Sequence, residues 1–129
     1  MSYLAFVLDE KSRTNIFHRI YPPEHCDVIA HHVTMVSGVK KGLEQIALDL
    51  CPTIHSAMVV GYVADDKGEA YVVSINGVTH RMDEGVYHIT ISIDRSQGVK
   101  PVYSNQLIKE KGWTEVDPFE ITGSVQVLD

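Results

Sequence analysis

Cysteine is nearly absent from this chain. Cys26 and Cys51 are the only two, too few for a disulfide framework and too far apart for a Cys-x-x-Cys redox or metal motif. Both are therefore expected to be reduced packing residues. Long apolar runs are missing as well. None approaches the roughly 18 to 20 residues that cross a bilayer, and Met1-Ser2-Tyr3-Leu4 lacks the basic start and apolar stretch of a secretion signal. The expected location is the cytosol, or the host cytoplasm if the source is a virus, with no membrane partner. Positive charge is also scarce, with 11 Lys and Arg against 17 Asp and Glu and a net charge of −6. General affinity for long nucleic acid requires a basic surface, so that class of partner is excluded, while a short or cyclic nucleotide in a local pocket is not. His18, His25, His55 and His80 have no carboxylate or Cys partner at ligand spacing, and no His-x-x-x-His pattern occurs. No metal and no cofactor are expected.

What is present is an ordinary globular composition, 44% hydrophobic and 22% charged over 129 residues, enough for a single domain spanning 1–129. The apolar run at 3–8 predicts a strand near the middle of a sheet. A helix capped by Asp9 or Ser12 follows, with Ile16, Phe17 and Ile20 on its inner stripe and Tyr21-Pro22-Pro23 as its stop. A strand is predicted at 31–36, ended by Ser37-Gly38. Leu43, Ile46, Ala47 and Leu50 at helical spacing predict a helix at 40–50, closed by Pro52. Strands follow at 56–64 and 69–75, with a hairpin return through Asn76-Gly77, because both residues tolerate the positive φ of a type I′ turn. A further strand at 86–93, a helix at 102–111 stopped by Gly112, and a last strand at 119–128 complete the pattern. The class is α+β with mostly antiparallel sheets, and a helix after each of two motif-bearing strands points to two similar lobes.

Those two strands carry the chemistry. His32-Val33-Thr34-Met35 and His88-Ile89-Thr90-Ile91 repeat one pattern. Side chains alternate faces along a strand, so each His shares a face with its Thr about 6.6 Å along. Seven His and seven Thr in 129 residues predict roughly 0.4 His-x-Thr triplets by chance, so two copies in matching context stand out. Period two sends Val33, Met35, Ile89, Ile91 and Ile93 to the core and His32, Thr34, Val36, His88, Thr90 and Ser92 away from it. His31 falls on the opposite face from Thr34 and is assigned to structure or surface.

Two imidazoles in one pocket can divide the proton work of phosphodiester cleavage, one neutral as base and one protonated as acid. Two Thr hydroxyls can donate to non-bridging phosphate oxygens. On these residues the chain resembles the 2H phosphoesterases, which are defined by two His-x-Thr/Ser motifs. The resemblance implies two pseudo-symmetric lobes, flanked by helices around a central cleft. It also implies that His32, Thr34, His88 and Thr90 act as acid, base and phosphate ligands without metal. The family includes 2′,3′-cyclic phosphodiesterases, RNA 2′,5′ ligase-like proteins, oligonucleotide phosphodiesterases, the cyclic phosphodiesterase domain of tRNA ligases and a phage anti-CBASS nuclease that cuts cyclic oligonucleotide signals. The Gly98-Val99-Lys100-Pro101-Val102-Tyr103-Ser104-Asn105 segment looks most like the tRNA-ligase-like and phage branch. RNA 2′,5′ ligase-like members often carry Arg or Lys close to the second motif, where this chain has Asp83-Glu84. Arg95, Lys100, Lys40 or Lys41 would have to supply the cation.

Around the motifs, Tyr3 and Tyr62 are candidates to stack on a nucleobase, against sheet packing as the alternative. Lys100 is a candidate phosphate contact, and Glu120 can orient a His or a ribose hydroxyl. Trp113, after Gly112, is expected to cap the core. The expected activity is metal-independent hydrolysis of a cyclic phosphodiester, at a 2′,3′-cyclic RNA end or in a cyclic oligonucleotide. The alternatives are a non-catalytic nucleotide-binding module and an interaction protein without nucleotide.

Overall fold

The computed structural model describes residues 2–83 and 85–129, so that Met1 and Glu84 lie outside the described residues. The described elements run β1 (Ser2–Leu8), α1 (Glu10–Arg19), β2 (Asp27–Val28), β3 (His32–Val39), α2 (Glu44–Leu50), β4 (Ala57–Ala64), β5 (Gly68–Ile75), β6 (His88–Ile93), α3 (Tyr103–Lys111), β7 (Thr114–Glu120) and β8 (Gly123–Leu128). The strands form one curled sheet in the order β7-β4-β5-β6-β3-β1-β8, with β2 beside β6 and every pairing antiparallel. The chain is α+β, as its patterns predict. β1 is an interior strand between β3 and β8, and its alternation sends Leu4, Phe6 and Leu8 into the main core.

Local chemistry sets the element ends. Asp9 caps α1 through its carboxylate and the Ser12 N–H, 2.8 Å apart, satisfying an amide the helix itself leaves free. Asn76 and Gly77 take φ of 51° and 82°, and Ile75 and Val78 exchange both backbone hydrogen bonds across them, as a type I′ return requires. Only bridges follow it, His80 pairing with Val86, so that β6 begins at His88. α3 packs Leu107 and Ile108 onto Val63, Ala70 and Val72, forming a second small core on the other face of β5. β5 is buried on both faces as a result.

Several expectations change. Ser37-Gly38 does not end the first motif strand: Gly38 takes φ of 70° and β3 runs on to Val39, the register to β1 shifting there as in a bulge. The helix expected at 40–50 starts only at Glu44, because Gly42 at φ of 90° breaks the approach. Its inner side is Ala47 and Leu48, while Leu43, Ile46 and Leu50 face solvent. The single strand expected at 119–128 is two strands on opposite margins of the sheet. The chain turns at Thr122, whose N–H donates to Ser12 Oγ at 2.7 Å and whose carbonyl accepts from Asp9 N. Finally, the polar side of β6 is not open: Thr90 and Ser92 are buried there, beneath α3 and beside Glu69. Of the cysteines, Cys51 packs partly on the core, but Cys26 is exposed and packs nothing.

β8 depends on a close approach at its first residue. A Cβ on Gly123 would lie 1.9 Å from the Val7 carbonyl oxygen, and this neighbour is backbone that cannot swing aside. Gly123→Ala is expected to destabilise the protein by about 3 kcal/mol, the upper range for overpacking. Urea unfolding measures this, and a change below about 0.5 kcal/mol, the scatter of neutral surface substitutions, would contradict the packing.

Candidate functional site

β3 and β6 touch through one register pair, Val33 with Ile89, whereas β5 and β6 pair over a whole strand length. Both residues are fully buried in the main core. Their flanking residues therefore project from the other face, and antiparallel running sets His32 across from Thr90 and Thr34 across from His88. All four line one open cavity of about 600 Å³. Tyr3, from the neighbouring β1, lines it too, with its ring 5.4 Å from that of His32 and tilted by 42°. Tyr62, Lys100 and Glu120 do not line it.

Both imidazoles are held neutral. Burial lowers the pKa of His32 to about 4, with His31 and His88 adding like charge in the same direction. Burial likewise lowers that of His88, partly offset by a hydrogen bond to the Val86 carbonyl and assisted by the Arg81 charge. The Val86 oxygen can only accept, so His88 Nδ1 carries the proton in that 2.8 Å bond and Nε2 is left with its lone pair. His32 Nδ1 lies 3.1 Å from Nδ1 of His31, the exposed neighbour assigned to structure or surface.

The two hydroxyls differ. Thr34 has no hydrogen-bond partner among the described residues, and it faces the cavity half-buried. Thr90 is buried, 2.8 Å from Ser104 Oγ, and donates at 3.2 Å to the Pro101 carbonyl. Its proton is thus directed at the protein and not at the cavity.

The cation at the cavity is Arg81, which sequence reasoning missed. Its Nε donates to Asp83 Oδ1 at 2.9 Å, and the side chain is only 10% exposed. Gly85 leaves room for it, since a Cβ there would lie 2.4 Å from the guanidinium. Asp83 also accepts from Ser37 Oγ on β3 and from Gly85 N. The acidic residue that looked unfavourable before the second motif therefore anchors the positive charge. The pairing Arg81-x-Asp83 followed by Gly85, in the loop that delivers His88, was the available signal.

The remaining candidates lie elsewhere. Tyr62 donates to Glu69 Oε2, a fully buried carboxylate that also accepts from Ser92 Oγ at 2.8 Å. Burial and that bond push the Tyr62 phenol up. Lys100 is exposed in the turn before α3, and its neighbours Pro101 and Val102 reach the cavity instead. Glu120 lies opposite Met58 and borders a separate, smaller hollow. Trp113 lies over Gly61, partly exposed. Comparison of the chain with protein-family models, curated proteins and solved structures finds no match.

The histidine environment has a measurable consequence. Unfolded, His32 takes up a proton near its ordinary pKa of about 6.5, but folded it does so only near 4. Below 6.5 the unfolded state binds more protons, so stability falls as pH drops from 6.5 towards 4. Between pH 7 and 5 the melting temperature of wild type is expected to fall further than that of His32→Gln. Equal slopes in thermal denaturation would show that the fold does not hold His32 neutral. The hydroxyls are expected to separate in the same assay at pH 7. Thr90→Ala strands buried Ser104 and costs about 1–3 kcal/mol, while Thr34→Ala stays within about 0.5 kcal/mol.

Proposed function

We propose that this protein is a metal-independent phosphodiesterase of the 2H type. It hydrolyses a cyclic phosphodiester of a nucleotide, either a 2′,3′-cyclic phosphate at an RNA end or a cyclic oligonucleotide signal. The observation that carries this is the single buried pair Val33–Ile89, which sets two imidazoles and two threonines around one cavity that Arg81 also lines. The two-lobed plan of that family agrees with a sheet that narrows to one pair between its halves.

The hydrogen bond of His88 suits it to the role of base. His88 Nε2, unprotonated because Nδ1–H is held by Val86, takes a proton from the attacking water. The new P–O bond forms to that water, and the ester bond to the sugar oxygen breaks. His32 protonates the departing oxygen. It is neutral in the free protein, and the entering phosphate anion raises its pKa so that it arrives charged. Thr34 and Arg81 stabilise the non-bridging oxygens as charge grows on them. Tyr3, beside His32, offers a ring to the base.

The neutral state of His32 also favours a second reading, a nucleotide-binding module that never charges its acid and so never turns over. Hydrolysis assays on 2′,3′-cyclic mononucleotides, cyclic-ended oligonucleotides and cyclic dinucleotides, all in EDTA, separate the two. Wild type is expected to cleave at least one class, and His32→Ala and His88→Ala each to lose about 10²- to 10⁴-fold in kcat. Full activity in either variant removes the mechanism, and binding without turnover in wild type leaves only the second reading.

A further inference from the structure

Beside the first cavity lies a second one of about 450 Å³, which the proposed reaction does not use. Arg81 and Asn105 line both. Asn105 and Lys109 stand one turn apart on α3, so they share a helix face, and both border the second cavity. Ile108, buried beside them, supplies an apolar patch of its wall. Trp113 also lines it, its indole resting on Gly61, where a Cβ would lie 2.2 Å from its Cδ1, and 36% of the residue remains exposed. Asp83 also borders this space, but its oxygens already accept from Arg81, Gly85 N and Ser37, so its charge is largely answered.

An aromatic face, an apolar wall and two cations, one shared with the catalytic cavity, are the parts that hold a base and its phosphate. We propose that this second cavity is a subsite for the adjoining nucleotide, and that the substrate is an oligonucleotide of at least two residues. The base stacks on Trp113, Lys109 meets the phosphate beyond it, and Arg81 sits at the linkage between the two nucleotides. This rests on the phosphodiesterase reading of the first cavity.

Trp113 is the only tryptophan, so its fluorescence reports this subsite directly. Two measurements are combined. The first compares kcat/KM for cytidine 2′,3′-cyclic phosphate with that for a dinucleotide bearing the same end. The second titrates a 2′-O-methyl dinucleotide 3′-phosphate, which cannot cyclise, against the matching mononucleotide. Wild type is expected to favour the dinucleotide at least about tenfold, the worth of one stacked base. Only the dinucleotide is expected to quench the indole saturably. Trp113→Leu, which keeps an apolar cover on Gly61, and the exposed Lys109→Glu should each erase most of the preference. Equal turnover of mono- and dinucleotide overturns the subsite and leaves the hydrolase reading standing. Saturable quenching without hydrolysis of either supports the subsite and removes the 2′,3′-cyclic form of the hydrolase reading, and neither quenching nor hydrolysis overturns the subsite together with that form.

Discussion

Two β-branched side chains pressed together in the core, Val33 and Ile89, set which way the motif histidines and threonines beside them point. Among the described residues they are the sole register pair between β3 and β6, and neither exposes any surface to water. Burying each is worth about 1.5–3 kcal/mol, and in an alternating strand that fixes the opposite direction for both neighbours. A slip of one residue on either strand would exchange the cavity-facing and core-facing side chains. Apolar packing on one face thus sets the aim of the imidazoles on the other.

The cavity face is less open than a pair of polar strands would be. α3 lies over β4 and β5, brings Ser104 against Thr90 of β6, and among the described residues leaves Thr34 as the motif hydroxyl without a partner. The same burial keeps the imidazoles uncharged, which suits a base directly and an acid only once an anion is present. Arg81 is fixed by Asp83, which in turn reaches Ser37 beyond the motif on β3. The positive charge is therefore tied to both motif strands, and its position follows theirs.

Most of this was legible where a residue's neighbours along the chain determine its fate. Alternation separated His32 from His31 and put Val33, Met35, Ile89 and Ile91 in the core, and Asn76-Gly77 marked its own turn. The reading failed where a distant segment decides. Thr90 and Ser92 looked exposed because nothing in their own strand announces that α3 and Glu69 cover them. Leu43, Ile46 and Leu50 share helical spacing, yet the short α2 turns Ala47 and Leu48 inward instead. Residues 119–128 read as one strand because the break at Thr122 is enforced by Asp9 and Ser12, more than a hundred positions earlier. Lys100 and Arg95 drew attention as cations after the motif, while Arg81 lay in the loop before it, masked by its acidic partner.

The placement of β8 against β1 carries a kinetic meaning. β1 is the first of the described strands and β8 the last, so one side of β1 is completed by a segment more than a hundred residues away. Joining strands so distant in sequence closes a long loop before any contact rewards it, which raises the contact order of the fold. Whenever β8 is undocked, the edge of the strand that carries Tyr3 presents unpaired backbone groups, the kind of edge another chain can pair with.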